Sequence, residues 1–166
     1  MSGIELVRRL HQHQRWVAQQ LLQASSGLTP EQLNQVFEIG PGSLLATLNH
    51  MYSAEFVWFE AIEGNARAAF PAKQADVESL ARAWDALEAR WQALLGGLTD
   101  EDLDRPVVRI RPSAPDKPLT SRLSDVLLHG GTHAYYHTAQ AINMMRHLGV
   151  QPLPDTMLIV MSRMGL

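Results

Sequence analysis

Apolar residues recur at helical spacing over most of the chain. Ile4, Leu6, Val7, Leu10, Trp16, Val17, Leu21 and Leu22 follow one another at mixed intervals of three and four. That period predicts an amphipathic helix over 3–24, ended by Ser25-Ser26-Gly27. Thr29-Pro30-Glu31 supplies a cap, a first-turn proline and a first-turn acid for a short helix over 30–37. Ile39-Gly40-Pro41-Gly42 breaks the pattern, and Ser43 caps a strongly apolar helix running to Glu63. Leu80, Trp84, Leu87, Trp91, Leu94 and Leu95 form the stripe of a third long helix, 77–95, stopped by Gly96-Gly97.

Residues 104–118 contain Pro106, Pro112, Pro115 and Pro118 and are excluded from regular helix, although 107–111 suits a short extended piece. Thr120 or Ser121 opens a long helix to Leu148, closed by Gly149. A last short helix, 155–164, follows Pro152 and Pro154. Nothing in this pattern requires a sheet. The expected fold is all-α, an antiparallel four-helix bundle with a long irregular connection between the third and fourth main helices. The chain has 166 residues, 46% of them apolar, which suits one domain over 1–166 with a single core.

Net charge is −3, which argues against a general nucleic-acid binder. There is no cysteine, so disulfides, thiolate metal sites and a cysteine nucleophile are excluded. No stretch has the ~20 apolar residues of a membrane span, and the N-terminus lacks a signal-like apolar run. The expectation is a soluble cytoplasmic protein with no membrane partner.

The chemistry concentrates in LHGGTHAYYHTAQ, residues 128–140, with histidines at 129, 133 and 137. At about 100° per residue these lie within about 80° of one another, on a stripe shared with Gln140, Met144, Val126 and His147. A metal ion bridges two histidines at i and i+4. It does not take all three, because the outer pair is about 12 Å apart along the axis. Spacing alone leaves His129/His133 and His133/His137 as equal alternatives. Gly130 and Gly131 cost roughly 1 kcal/mol each inside a helix, which implies close packing of a neighbour or access for a ligand.

A third ligand must come from elsewhere, and His50 is the candidate. It shares its side of the second long helix with Ala46, Thr47, Ala54, Val57 and Ala61, which are mostly small. His11 and His13 read as surface residues, and His147 as a residue favoured by the helix C-terminus. The zinc-peptidase pattern H-E-x-x-H is absent, as are Glu-x-x-His pairs, a G-x-S-x-G elbow and a phosphate-binding glycine loop. What remains is three neutral imidazoles with open positions for water, a catalytic rather than a closed structural arrangement.

These residues resemble the DinB/YfiT-like superfamily of divalent-metal-binding four-helix bundles. The likeness rests on RWVAQQLL in the first helix, SLLATLNHMYSAEFVWFEAIEG in the second and H-x-x-x-H-x-x-x-H-x-x-Q in the last long helix. It implies His50, His133 and His137 as the ligands of one divalent ion, nickel or zinc foremost. His129, Gln140, Tyr52 and Tyr136 are then candidate pocket neighbours. It also implies a cytoplasmic homodimer. The reaction would be that of a thiol-dependent S-transferase or isomerase, or of a hydrolase, acting on a small-molecule substrate with or without a low-molecular-weight thiol. The family's Arg-Gly pair after the last ligand is replaced here by Thr138-Ala139, which removes a group that could orient an anion. Arg109 and Arg111 could guide an anion to the site, against the plainer reading of a solvated loop. The competing functional reading is a non-catalytic metal-binding or stress-related interaction module.

Overall fold

The computed structural model describes all of residues 1–166. Four long helices dominate it: α1 (Gly3–Ser25), α3 (Leu44–Ile62), α4 (Val77–Gly97) and α5 (Leu123–His147). Two short helices, α2 (Pro30–Leu33) and α6 (Leu158–Arg163), and a 3₁₀ turn (Asp100–Asp104) lie between or after them. The helix starts are explained by their caps. Ser2, Thr29, Ser43 and Asp76 each accept a hydrogen bond from the backbone N–H of the third residue of the helix they precede. Gly96 and Gly97 form the last turn of α4 rather than following it. Helix α2 stops four residues short of expectation, and α6 is trimmed to six residues.

Helix α1 packs against α4 and α5, and α3 packs against the same two, so α1 and α3 occupy opposite corners. Pairings along the interfaces give the directions. Arg8 binds the Leu95 and Leu98 carbonyls, His11 meets Glu88 and Arg15 pairs with Asp85, so α1 and α4 are antiparallel. Thr47 touches Met144 while His50 meets His133, so α3 and α5 are antiparallel too. Helices α3 and α4 run the same way: Glu55 bonds Trp84, and Glu60 bonds Arg90.

Parallel neighbours need a connection that returns the full length of a helix. Residues 63–76 supply it. Asn65 lies beside Glu60 at one end of α3, while Gln74 exchanges two hydrogen bonds with the side chain of Asn49 near the other. Asn49 is buried, and its amide also donates to the Leu45 carbonyl one turn back in α3.

The core lies between the four helices, with Leu21, Leu44, Leu48, Leu80, Leu123, Met144 and Met145 sealed from solvent. Each such side chain is worth about 1.5–3 kcal/mol of burial. Met161 is also fully buried, so α6 docks on the bundle through that residue while Met157, Ile159 and Met164 stay exposed.

The proline-rich connection is non-helical as expected, and the extended piece anticipated over 107–111 finds a partner strand that was not. Strands β1 (Pro106–Arg109) and β2 (Leu119–Arg122) form an antiparallel hairpin, and Thr120 and Ser121 lie in a strand, not at a helix start. Both strands are four residues long and carry β-branched side chains. Pro106 sits at the first position of its strand, where no ladder donor is lost. The small sheet covers the end of the bundle beside α3 and α5.

Candidate metal centre

His50 comes from α3; His133 and His137 come from successive turns of α5. Antiparallel packing of the two helices places one imidazole against two. The Nε2 atoms of His50 and His133 are 3.2 Å apart. One ring nitrogen from each of the three histidines lies within 4.8 Å of the others. The centroid of the His50 ring is 4.5 Å from that of His137, and the His133 and His137 centroids are 4.5 Å apart.

The tautomer of His137 is fixed by its neighbour. Nδ1 lies 2.7 Å from Gln140 Oε1, an acceptor only, so Nδ1 donates in this contact and the neutral ring has its lone pair on Nε2. Gln140 is in turn seated over the loop before α3. Gly40 has φ 48°, and a Cβ there would stand 2.1 Å from Gln140 Oε1. A side chain at position 40 would therefore push Gln140 away.

Burial, together with the neighbouring imidazoles, pushes His133 down to about 4. His50 is lowered as well, by burial first and by His137 second. Both rings are neutral at neutral pH, the form that donates a lone pair.

His129 is exposed and sits against Trp58, 5.6 Å between ring centroids, one turn from His133. It is not among the three converging histidines. Tyr136 is exposed and packs edge-on against His137. Tyr52 lies in the core against Phe56 and Trp84, away from the histidines. The two helix glycines serve different ends. A Cβ on Gly131 would meet Leu10 at 2.6 Å, whereas the nearest atom to one on Gly130 is 3.9 Å away and belongs to Gln14.

A pocket of about 280 Å³ opens onto His50 and His133. Trp58, Phe70 and Leu119 give it an apolar wall, and Arg109 and Arg111 line the hairpin side. No Asp or Glu borders it. The reading of these arginines as a solvated loop fails for Arg109, which is only 5% exposed. The signal was present in the alternation along β1, where Val107 and Arg109 turn inward and Val108 outward.

A second polar cluster lies inside the bundle and was not anticipated. His11, read from sequence as a surface residue, is buried; it meets Glu88 at 2.9 Å and packs on Trp91. Helical spacing places His11 correctly on α1, but only the approach of α4 covers it. His13 is half-buried beside Trp16, 2.9 Å from the Thr156 carbonyl. Glu55 lies nearby, accepts from Trp84 Nε1 at 2.8 Å, and is pushed above the usual carboxyl range by burial.

The match to the DinB family spans residues 1–163. The chain belongs to the DinB family. Among curated proteins it is 29% identical over 157 residues to one from Geobacillus kaustophilus (strain HTA426), covering 82% of this chain and 85% of that one. That protein carries the name "Putative metal-dependent hydrolase". Among solved structures the chain resembles YfiT from Bacillus subtilis, with a TM-score of 0.63 at 21% identity over 87% of this chain and 89% of that one. YfiT is described as "a probable metal-dependent hydrolase with an unusual four-helix bundle topology". A DinB-like protein from Bacillus cereus ATCC 10987 gives a TM-score of 0.65 at 19% identity, over 89% and 95% of the two chains. At these identities the two structures bear on the fold alone, and they share the bundle found here. No helix of the chain is long and apolar enough to cross a membrane.

Proposed function

We propose that this DinB-family chain is a metal-dependent hydrolase, with a divalent ion held by His50, His133 and His137. The observation that carries the reading is the convergence of three ring nitrogens, two of them 3.2 Å apart. Two nitrogens ~2.0–2.1 Å from one ion at the tetrahedral angle lie ~3.3 Å apart, so the donors fit the group. The donor chemistry fits as well. His50 and His133 are held neutral, and Gln140 orients His137 in the manner of an outer-shell partner. All-imidazole ligation suits nickel and zinc.

A bound divalent ion supplies Lewis acidity and acidifies water. The chain's own residues do the rest. His137 is locked by Gln140, His50 and His133 face the pocket, and Trp58 and Phe70 offer apolar contact to a substrate body. The pocket beside two of the three histidines supports turnover over a purely structural metal site. The relatives named for hydrolysis support that reaction ahead of thiol-dependent transfer, which stays as the second activity to assay.

The test is elemental analysis of protein purified without a histidine tag. Wild type should hold about one divalent ion per chain, lost in His50→Ala and His133→Ala and retained in His129→Ala. Equal loss in His129→Ala would refute the ligand set. Metal-loaded protein that turns over no ester, amide or thiol conjugate in a broad screen would refute the enzymatic reading.

A further inference from the structure

Arg109 ends β1 with its side chain turned toward the bundle beside Val107. Its Nη1 donates to the Ala66 carbonyl at 3.0 Å and to the Ile110 carbonyl at 2.9 Å. Both acceptors are neutral. No carboxylate pairs with Arg109 or with Arg111. A guanidinium carries five N–H donors, and Nε and Nη2 of Arg109 make no hydrogen bond within the chain. Nor are they sealed in the core, where only Arg15 Nη1 and Trp91 Nε1 are left without a partner. Each therefore keeps a little solvent contact, and Arg109 is a lining residue of the pocket shared with His50 and His133. A buried cation without a counter-charge is costly, and burial lowers the pKa of Arg109 accordingly.

We propose that the pocket binds small carboxylates, with the free edge of Arg109 as the anion subsite and Trp58 and Phe70 against an apolar body. A planar guanidinium edge matches the two oxygens of a carboxylate. The pocket, at about 280 Å³, is of small-molecule size. The absence of any acidic lining residue leaves the ligand as the counter-charge. Arg111, which is exposed, adds attraction at the mouth. The inference rests on the proposed function only in placing this anion beside the reacting centre.

The experiment compares phenylacetate with phenylacetamide, a charged and a neutral ligand of nearly equal shape, by isothermal titration calorimetry. Both are titrated into zinc-loaded wild type, zinc-free wild type, Arg109→Gln and Arg111→Gln. Wild type should prefer the acid by roughly tenfold or more, and the preference should persist without zinc. Arg109→Gln should reduce it to within about twofold, while Arg111→Gln should keep most of it. No binding of the acid, equal affinity for the two ligands, a preference seen only with zinc, or one that survives Arg109→Gln would overturn the proposal. The zinc-free arm decides the matter even if Arg109→Gln does not fold. Metal content separates the two readings. Stoichiometric zinc without discrimination sinks the anion subsite alone, and discrimination without zinc uptake sinks the metal centre alone.

Discussion

Gly40→Ala should weaken metal binding although residue 40 touches no histidine. The added Cβ would lie 2.1 Å from Gln140 Oε1, 2.6 Å from its Cδ and 3.0 Å from its Nε2. These atoms are the far end of a flexible side chain, so Gln140 moves rather than the backbone. Moving it breaks the 2.7 Å hydrogen bond that holds His137 in its tautomer. Loss of an outer-shell partner lowers metal affinity by about 10–100-fold, roughly 1.4–2.7 kcal/mol. A separate cost falls on the fold: φ 48° is left-handed, and a side chain there costs about 1 kcal/mol. In a domain of this size that lowers Tm by about 2–4 °C. The assay is zinc competition against a chromophoric chelator, with wild type, Gly40→Ala, Gln140→Ala and the double variant side by side. The two single variants should lose affinity to a similar extent, and the double variant no more than Gln140→Ala, because the first change acts only through the second residue. Wild-type affinity in Gly40→Ala, or additive losses in the double variant, would refute the coupling.

The helix glycines should respond in opposite senses. Gly130→Ala gains up to about 1 kcal/mol of helix propensity with nothing closer than 3.9 Å, whereas Gly131→Ala meets Leu10 at 2.6 Å and should lose about 1–3 kcal/mol to overpacking; urea unfolding that ranks them the other way would contradict the packing. Glu55 is held above the ordinary carboxyl range by burial, so the folded chain keeps its proton at pH values where the unfolded chain has released it. Wild-type stability from this group therefore falls as pH rises from about 4.5 through the folded pKa. Glu55→Gln removes that loss, and its Tm advantage should grow between pH 4.5 and 7.5; an advantage that is constant or shrinks with pH would argue against a buried protonated Glu55.

The four long helices were legible because each carries its own period, cap and stop, and these are local properties. His50, His133 and His137 could be named, but spacing on one helix left the partner of His133 open. The choice turns on which turn of α5 lies opposite His50, and that is a property of the α3–α5 interface. Gly40 could not be tied to Gln140, since the two are a hundred residues apart and meet only when the loop before α3 lies against α5. His11 looked like a surface residue because nothing on α1 shows that Glu88 and Trp91 will cover it. Arg109 shows the same limit. Its alternation with Val107 was visible, but whether that face met solvent or the bundle was not.

Taken alone, the residues determined the helical class, the helix boundaries to within a few positions, and the imidazoles available for chemistry. Hydrogen bonding and apolar period act over three or four residues, so they are written in short stretches. Only the tertiary structure decided that α3 and α4 run parallel, through a strap pinned by Asn49, and that a hairpin closes one end of the bundle. It also decided that a buried arginine lines the same pocket as two of the histidines. Those outcomes depend on which faces of distant segments exclude water together.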